Sequence, residues 1–194
     1  MDITPFLKLM MEKNGSDLFF STGAPISMKV EGTTKRVAKG ALPPGMVKKM
    51  AYSLMNEHQV DDFEANLEMN LAIALQDVGR YRVNIFRQRG EVAMVIRSIK
   101  TLVPSIEELG LPIMLCDLVM ETRGLILVVG ATGSGKSTSL AAMINYRNEN
   151  SSGHILTIED PIEFVHRHKQ SIVNQREVGL DTLEYENALV NAMR

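Results

Sequence analysis

The eight residues Gly130 to Ser137, GATGSGKS, constrain this chain more than any other stretch. They follow the apolar run Leu125 to Val129 and precede a helix-like run from Ser137 to Tyr146, so G-x-x-x-x-G-K-S falls in a strand, loop, helix context. Glycines at 130, 133 and 135 open backbone conformations that side chains close off, which lets successive N–H groups converge on an anion. The helix that starts there adds unpaired N–H groups and the positive end of its dipole. Ala131, Thr132 and Ser134 complete the loop. Lys136 brings a mobile positive charge for the outer phosphates, and the Ser137 hydroxyl is placed to join a magnesium shell. Thr138 caps or packs the first helical turn. The pattern predicts a polyphosphate site, and the competing reading is an ordinary glycine-rich turn.

Composition narrows the partners. A chain of 194 residues holds one large domain or two small ones, and its 45% apolar content is ordinary for a globular protein. The formal net charge is -2 and the pI about 6.1, so no electrostatic argument points to nucleic acid. Cys116 is the only cysteine, which excludes an internal disulfide. With His154, His166 and His168 scattered there is no metal-ligand spacing, and a reducing cytosolic setting fits. The longest apolar runs fall far short of the ~20 residues that span a bilayer. The opening MDITPFLKLMMEK has no signal-peptide pattern.

In chain order, Ile3, Phe6, Leu7, Met10 and Met11 mark one face of a helix, with Pro5 in its first turn and Gly15 as its stop. Strands are predicted at 17–20, 26–30 and 33–38, the last two joined by the turn Glu31-Gly32. Pro43-Pro44 opens a second helix carrying Val47, Ala51, Leu54 and Met55, and a short helix covers 59–65. Alternation then gives a strand through Met69, Leu71, Ile73 and Leu75, a turn at Asp77-Val78-Gly79, and a strand over 80–86. There Tyr81, Val83 and Ile85 point one way and Arg80, Arg82 and Asn84 the other. Arg89-Gly90 turns the chain into a strand over 92–96. Residues 1–99 thus read as a small α+β domain with an antiparallel sheet.

Residues 100–105 form the joint, and Ser105 with Glu108 forms a capping box that opens a helical region interrupted at Pro112 and closed by Thr122-Arg123-Gly124. Residues 100–194 then form an α/β domain: strand 125–129, helix 137–148 and strand 154–158 as a right-handed parallel unit, with a weaker strand over 172–178 and a last helix over 182–193. So few parallel strands leave edges and apolar surface open, and the domain is expected to be the front part of a longer, truncated core.

The apolar strand 155–158 ends in Glu159-Asp160, and Glu163 follows across Pro161. Carboxylates at that place position magnesium, at Glu159 or Asp160, while Glu163 orients an attacking water; the alternative is a solvated strand end. Arg80, Arg82, Arg87, Arg89 and Arg97 gather on the last two strands of the first domain, as a solvated face or as phosphate ligands.

The quoted segments together resemble the twitching-motility ATPases of bacterial type IV pili, within the larger group of secretion ATPases. GSDLFFSTGAPISMKVEG at 15–32 is similar to that family's opening signature and GRYRVNIF at 79–86 to its arginine strand. GLILVVGATGSGKSTSLAAMI at 124–144 resembles its phosphate-loop segment, HILTIEDPIEFVH at 154–166 its Asp box, and VNQREVGLDT at 173–182 is also typical. The loop beginning GATG is closer to the PilU type than to the PilT type, whose loop usually begins GPTG. The resemblance implies a PAS-like domain at 1–99 joined to a RecA-like core at 100–194, in a homo-hexameric cytoplasmic ring at the inner-membrane base of the pilus. It implies ATP and Mg2+ as cofactors, and as partners a membrane platform protein and a paralogous retraction ATPase.

Carried over by position, Lys136 and Ser137 keep the phosphate and magnesium roles, Glu163 takes the Asp-box glutamate, and Arg82 and Arg97, with Arg80 beside them, match arginines that reach phosphate. The resemblance also reassigns the strand ending at Glu159-Asp160 to the Asp box, placing the Walker B strand and its glutamate beyond Arg194, so that this stretch alone is expected to be inactive. Phe19 stands where the family commonly has histidine, which removes any polar role there. Two other functions compete with a retraction motor: an accessory regulator of a paralogous ATPase, and an assembly or type II secretion ATPase.

Overall fold

The computed structural model describes residues 2–75 and 78–193. Asp77, which begins one expected turn, lies outside the described residues. The chain forms two compact units, Met1–Ile99 and Lys100–Arg194, and the fold is mixed α/β.

Among the described residues the first unit is one antiparallel sheet of six strands and three helices. Its elements are α1 (Thr4–Glu12), β1 (Gly15–Phe20), β2 (Ser27–Val30), β3 (Thr33–Arg36), α2 (Met46–Tyr52), α3 (Glu57–Asn66), β4 (Glu68–Leu75), β5 (Gly79–Gln88) and β6 (Glu91–Ile99). The strand order is β3-β2-β1-β6-β5-β4. Register aligns Leu71, Val83, Ile96, Leu18 and Met28 in one row across five strands, and Ile85, Met94 and Phe20 in the next row of that face. All eight are buried and join Leu7, Met10, Met50 and Phe63 of the helices in a single core. The two-residue period of each strand gives the opposite face to Lys29, Asp17, Arg97 and Arg82, also in register. The connections Glu31-Gly32 and Arg89-Gly90 both take positive φ, the geometry of two-residue hairpin turns.

Gly15 does not stop α1. The helix ends at Glu12, Asn14 takes the left-handed conformation at φ 49°, and Gly15 is the first residue of β1. A Cβ on Gly15 would lie 2.6 Å from Met28 Sδ and 3.2 Å from Met10 Cγ, so a larger residue here would have to push these core methionines aside.

The second unit contains α4 (Met114–Met120), α5 (Lys136–Asn150), β7 (Gly153–Glu159), β8 (Ser171–Glu177) and α6 (Tyr185–Ala192). Strands β7 and β8 pair in parallel, in register from Gly153–Ser171 to Glu159–Glu177. Helix α5 packs on β8 and on α4, where Ile106, Cys116, Ala142 and Met143 make a small core. Asn148, fully buried at the end of α5, ties the helix to the chain leading into β8. Its Nδ2 donates to the Arg167 carbonyl at 2.7 Å, and its Oδ1 accepts from the Lys169 N–H at 3.2 Å.

Two expectations fail here. The Ser105–Glu108 capping box forms, with bonds of 2.7 and 3.0 Å, but it opens a single turn and no helix. Gly110 at φ 62° and Pro112 end that turn before a second can add to it. The run 125–129 is not a strand and pairs with no described strand, so the expected strand, helix, strand unit with β7 is absent. Leu125, Leu127 and Val129 are 82%, 74% and 86% exposed. A β-strand is defined by its neighbours: a continuous apolar run signals burial on both faces, and β7 forms its one described ladder with β8.

Candidate functional site

The loop from Gly130 to Gly135 is built by backbone conformation. Gly133 and Gly135 hold φ of 78° and 93°, which an L side chain resists, and Gly135 is the N-cap of α5. No side chain caps α5, so the N–H groups of its first turn take no side-chain acceptor at that end. The loop residues Gly130, Ala131, Thr132, Gly133, Ser134 and Gly135 are exposed, as is Ser137, whereas Lys136 and Thr138 are half-buried. Lys136 Nζ donates to the carbonyls of Gly130 and Ala131, each at 2.8 Å, and this ties the start of the loop to the lysine ammonium. An ammonium has three donors, so one remains for an anion.

Ser137 opens a cleft of roughly 440 Å³ that runs along α5 and past the end of β7. Leu140, Ala141 and Ile144 form its apolar side, and Glu159, Asp160, Glu163 and His166 bring ionisable groups. The second unit thus gathers Ser137, Glu159, Asp160 and Glu163 around one cleft. Glu159 Oε1 accepts from Thr157 Oγ1 at 2.6 Å and from Gln175 Nε2 at 2.9 Å, whereas Glu163 is exposed on the loop that follows Pro161. Burial holds the His166 imidazole below its usual value against the raising effect of Glu159, and its Nδ1 is buried without a hydrogen-bond partner.

Among the described residues no group of three or more His, Cys, Asp or Glu side chains converges to hold a metal by itself. A hydroxyl and carboxylates are the hard oxygen donors that suit Mg2+, which binds through one or two of them together with phosphates and water. Ser137 with Glu159 or Asp160 fits that kind of site, and the uncapped α5 terminus with Lys136 fits the phosphates.

Arg80, Arg82 and Arg97 belong to the other unit. Arg82 and Arg97 are direct cross-strand neighbours, and Arg97 Nε donates to Asp17 Oδ1 at 3.0 Å. Arg80 stands opposite Ile99 and Ala74. Arg87 and Arg89 have structural places: Arg87 Nη2 pairs with Glu64 Oε2 at 2.6 Å, and Arg89 sits at φ 51° in the β5–β6 turn. Sequence reasoning missed His166 and Tyr185, which line the cleft, and Gln175, which bonds to the lining residue Glu159. The signal for Gln175 was an amide in phase with the buried Val173 and Glu177 of β8.

With its glycine loop at the head of α5 and a strand ending in carboxylates, the second unit falls in the class of phosphate-loop α/β proteins. Residues 1–194 match the model of the type II/IV secretion system protein family, and the chain belongs to that family. It is 53% identical over 194 residues to the type IV pilus ATPase PilU of Pseudomonas aeruginosa, covering 100% of this chain and 51% of that protein. Identity to the type IV pilus retractation ATPase PilT of the same organism is 44%, over 100% of this chain and 56% of that protein. The crystal structure of the pilus retraction motor PilT with bound ADP superposes with a TM-score of 0.92, covering 100% of this chain and 57% of that one. The Legionella pneumophila ATPase DotB gives a TM-score of 0.79 at 26% identity, with 99% and 55% covered. The chain spans about half the length of these relatives.

Proposed function

We propose that this chain is the nucleotide-binding part of an ATP-hydrolysing motor that drives or supports type IV pilus retraction. The observation that carries the reading is the glycine loop tied to Lys136, with Ser137 lining the same cleft as Glu159, Asp160 and Glu163. The N–H groups at the start of α5 and the Lys136 ammonium bind the phosphates of ATP. Ser137 and one of Glu159 or Asp160 would hold Mg2+, whose charge offsets that of the phosphates. Glu163 orients water for attack. On this reading Arg82 and Arg97, with Arg80, are the first-unit arginines assigned to phosphate, and the whole protein is a homo-hexamer.

On this reading the first unit is PAS-like and the second is part of a RecA-like core. The motor works in the cytoplasm at the inner-membrane base of the pilus, with a platform protein and a paralogous ATPase as partners. No described helix is long and apolar enough to cross a membrane. Greater identity to PilU than to PilT, 53% against 44%, favours an accessory version in which this protein supports a paralogous retraction motor.

The test is ATP binding and turnover by the full-length protein, alone and with such a paralogue. Lys136→Ala removes the mobile cation and is expected to weaken binding of a non-hydrolysed ATP analogue by about 2–3 kcal/mol, roughly 30- to 150-fold. Unchanged affinity, measured by calorimetry, counts against the assignment.

A further inference from the structure

Gln175 stands on β8 in phase with the buried Val173 and Glu177. Its amide makes three hydrogen bonds. Nε2 donates to Glu159 Oε1 at 2.9 Å and to the Phe164 carbonyl at 2.8 Å, while Oε1 accepts from the His166 N–H at 2.8 Å. One group thereby grips the end of β7 and the two residues on either side of Val165, in the loop that carries Glu163. Thr157 Oγ1 donates to the same Glu159 oxygen at 2.6 Å, so Oε1 is filled by two donors. A primary amide can donate twice while it accepts, and neither a carboxylate nor a thioether of the same length can do so.

We infer that Gln175 is a positioning residue for the proposed ATP chemistry: it fixes the Glu159 carboxylate and the Glu163 loop as one rigid arrangement. The inference rests on the ATPase reading above. The loop has other anchors that keep it folded without this amide. The Ile162 N–H donates to Glu177 Oε2 at 3.2 Å, the Val165 N–H donates to the Lys100 carbonyl at 2.9 Å, and Ile162 and Phe164 are buried. Loss of Gln175 therefore leaves the loop folded but frees the Glu159 carboxylate and the 164–166 backbone beside the exposed Glu163, so that the two carboxylates lose their fixed relation while the glycine loop on α5 is untouched. The consequence falls on the chemical step, because small misplacements of a catalytic group cost rate more than ground-state binding.

Gln175→Met keeps the side-chain length and removes all three bonds. Gln175→Glu keeps an acceptor for the His166 N–H and removes both donors. In the full-length protein Gln175→Met is expected to lower kcat for ATP by about 10- to 100-fold with KM within about threefold. On a Glu163→Gln background the same change is expected to cost less than about twofold, since the two residues act as a unit. Wild-type kcat, a loss confined to KM, or full additivity with Glu163→Gln overturns the inference. A second readout does not depend on turnover: amide hydrogen exchange at His166 speeds up in Gln175→Met and stays at the wild-type rate in Gln175→Glu. Equal protection in Gln175→Met and wild type overturns the inference. A wild-type protein that binds no ATP instead defeats the proposed function, and the exchange experiment still decides what Gln175 holds.

Discussion

Glu163 and Lys136 show how differently two site residues depend on their surroundings. Lys136 is the first residue of α5 and is anchored by two carbonyls five and six positions earlier, so its placement is local. Glu163 is held by a loop whose anchors come from Lys100, Gln175 and Glu177, at distant points of the chain. Replacing Glu163 by glutamine leaves its size and removes its basicity. In the full-length protein Glu163→Gln is therefore expected to bind ATP as the wild type does and to lose about 10²- to 10⁴-fold in kcat. Equal single-turnover rates exclude Glu163 as the group that orients water. Its candidacy was legible as a carboxylate three residues past Asp160, and the structure puts it on the cleft. The Gln175 amide that holds its loop was not, because its phase with Val173 and Glu177 marks an inward side chain on β8 but does not name bonding partners nine to sixteen residues away.

Elements differ in the same way. Helix α3 starts two residues before the expected 59, because Asn56 and Gln59 make a reciprocal capping box with bonds of 2.9 and 3.0 Å. What the helix does for the unit is tertiary. Its Glu64 accepts from Lys48 Nζ at 2.8 Å, from the Tyr52 hydroxyl and from Arg87 Nη2 at 2.6 Å, joining α2, α3 and β5. Lys48 first, then Tyr52 and Arg87, hold the Glu64 carboxyl down from 4.5 to about 2. A depressed carboxyl contributes stability above its unfolded value and loses it as pH falls through the folded value. The gap in thermal midpoint between wild type and Glu64→Gln is thus expected to be full above about pH 5 and to close between about pH 4.5 and 2. A gap that stays constant over that range contradicts the role of this charge.

On the scale of the whole molecule, the two units differ in how complete their cores are. The first has one continuous core from Ile3 to Ile96, fed by all three helices and the face of a six-stranded sheet. Residues 1–99 expressed alone are therefore expected to fold and to unfold in one cooperative transition, checked by calorimetry and dispersed amide resonances. Non-cooperative melting shows that this unit needs the second. The second unit exposes Leu125, Leu127, Val129, Leu183 and Met193 and pairs two strands only among the described residues.

Amphipathic periodicity, turn residues and the spacing of GATGSGKS are local properties, and the sequence by itself determined most of the helices, the hairpins at Glu31-Gly32 and Arg89-Gly90, and the glycine loop ahead of α5. Contacts between distant residues were decided by tertiary structure alone: the close approach of Met28 to Gly15, the ladder that β7 makes with β8 and not with 125–129, and the Gln175 grip on the Glu163 loop. The physical reason is range. A turn or a cap is stabilised by neighbours within a few residues, whereas a strand or a buried amide is defined by partners that only the folded chain brings within hydrogen-bond distance.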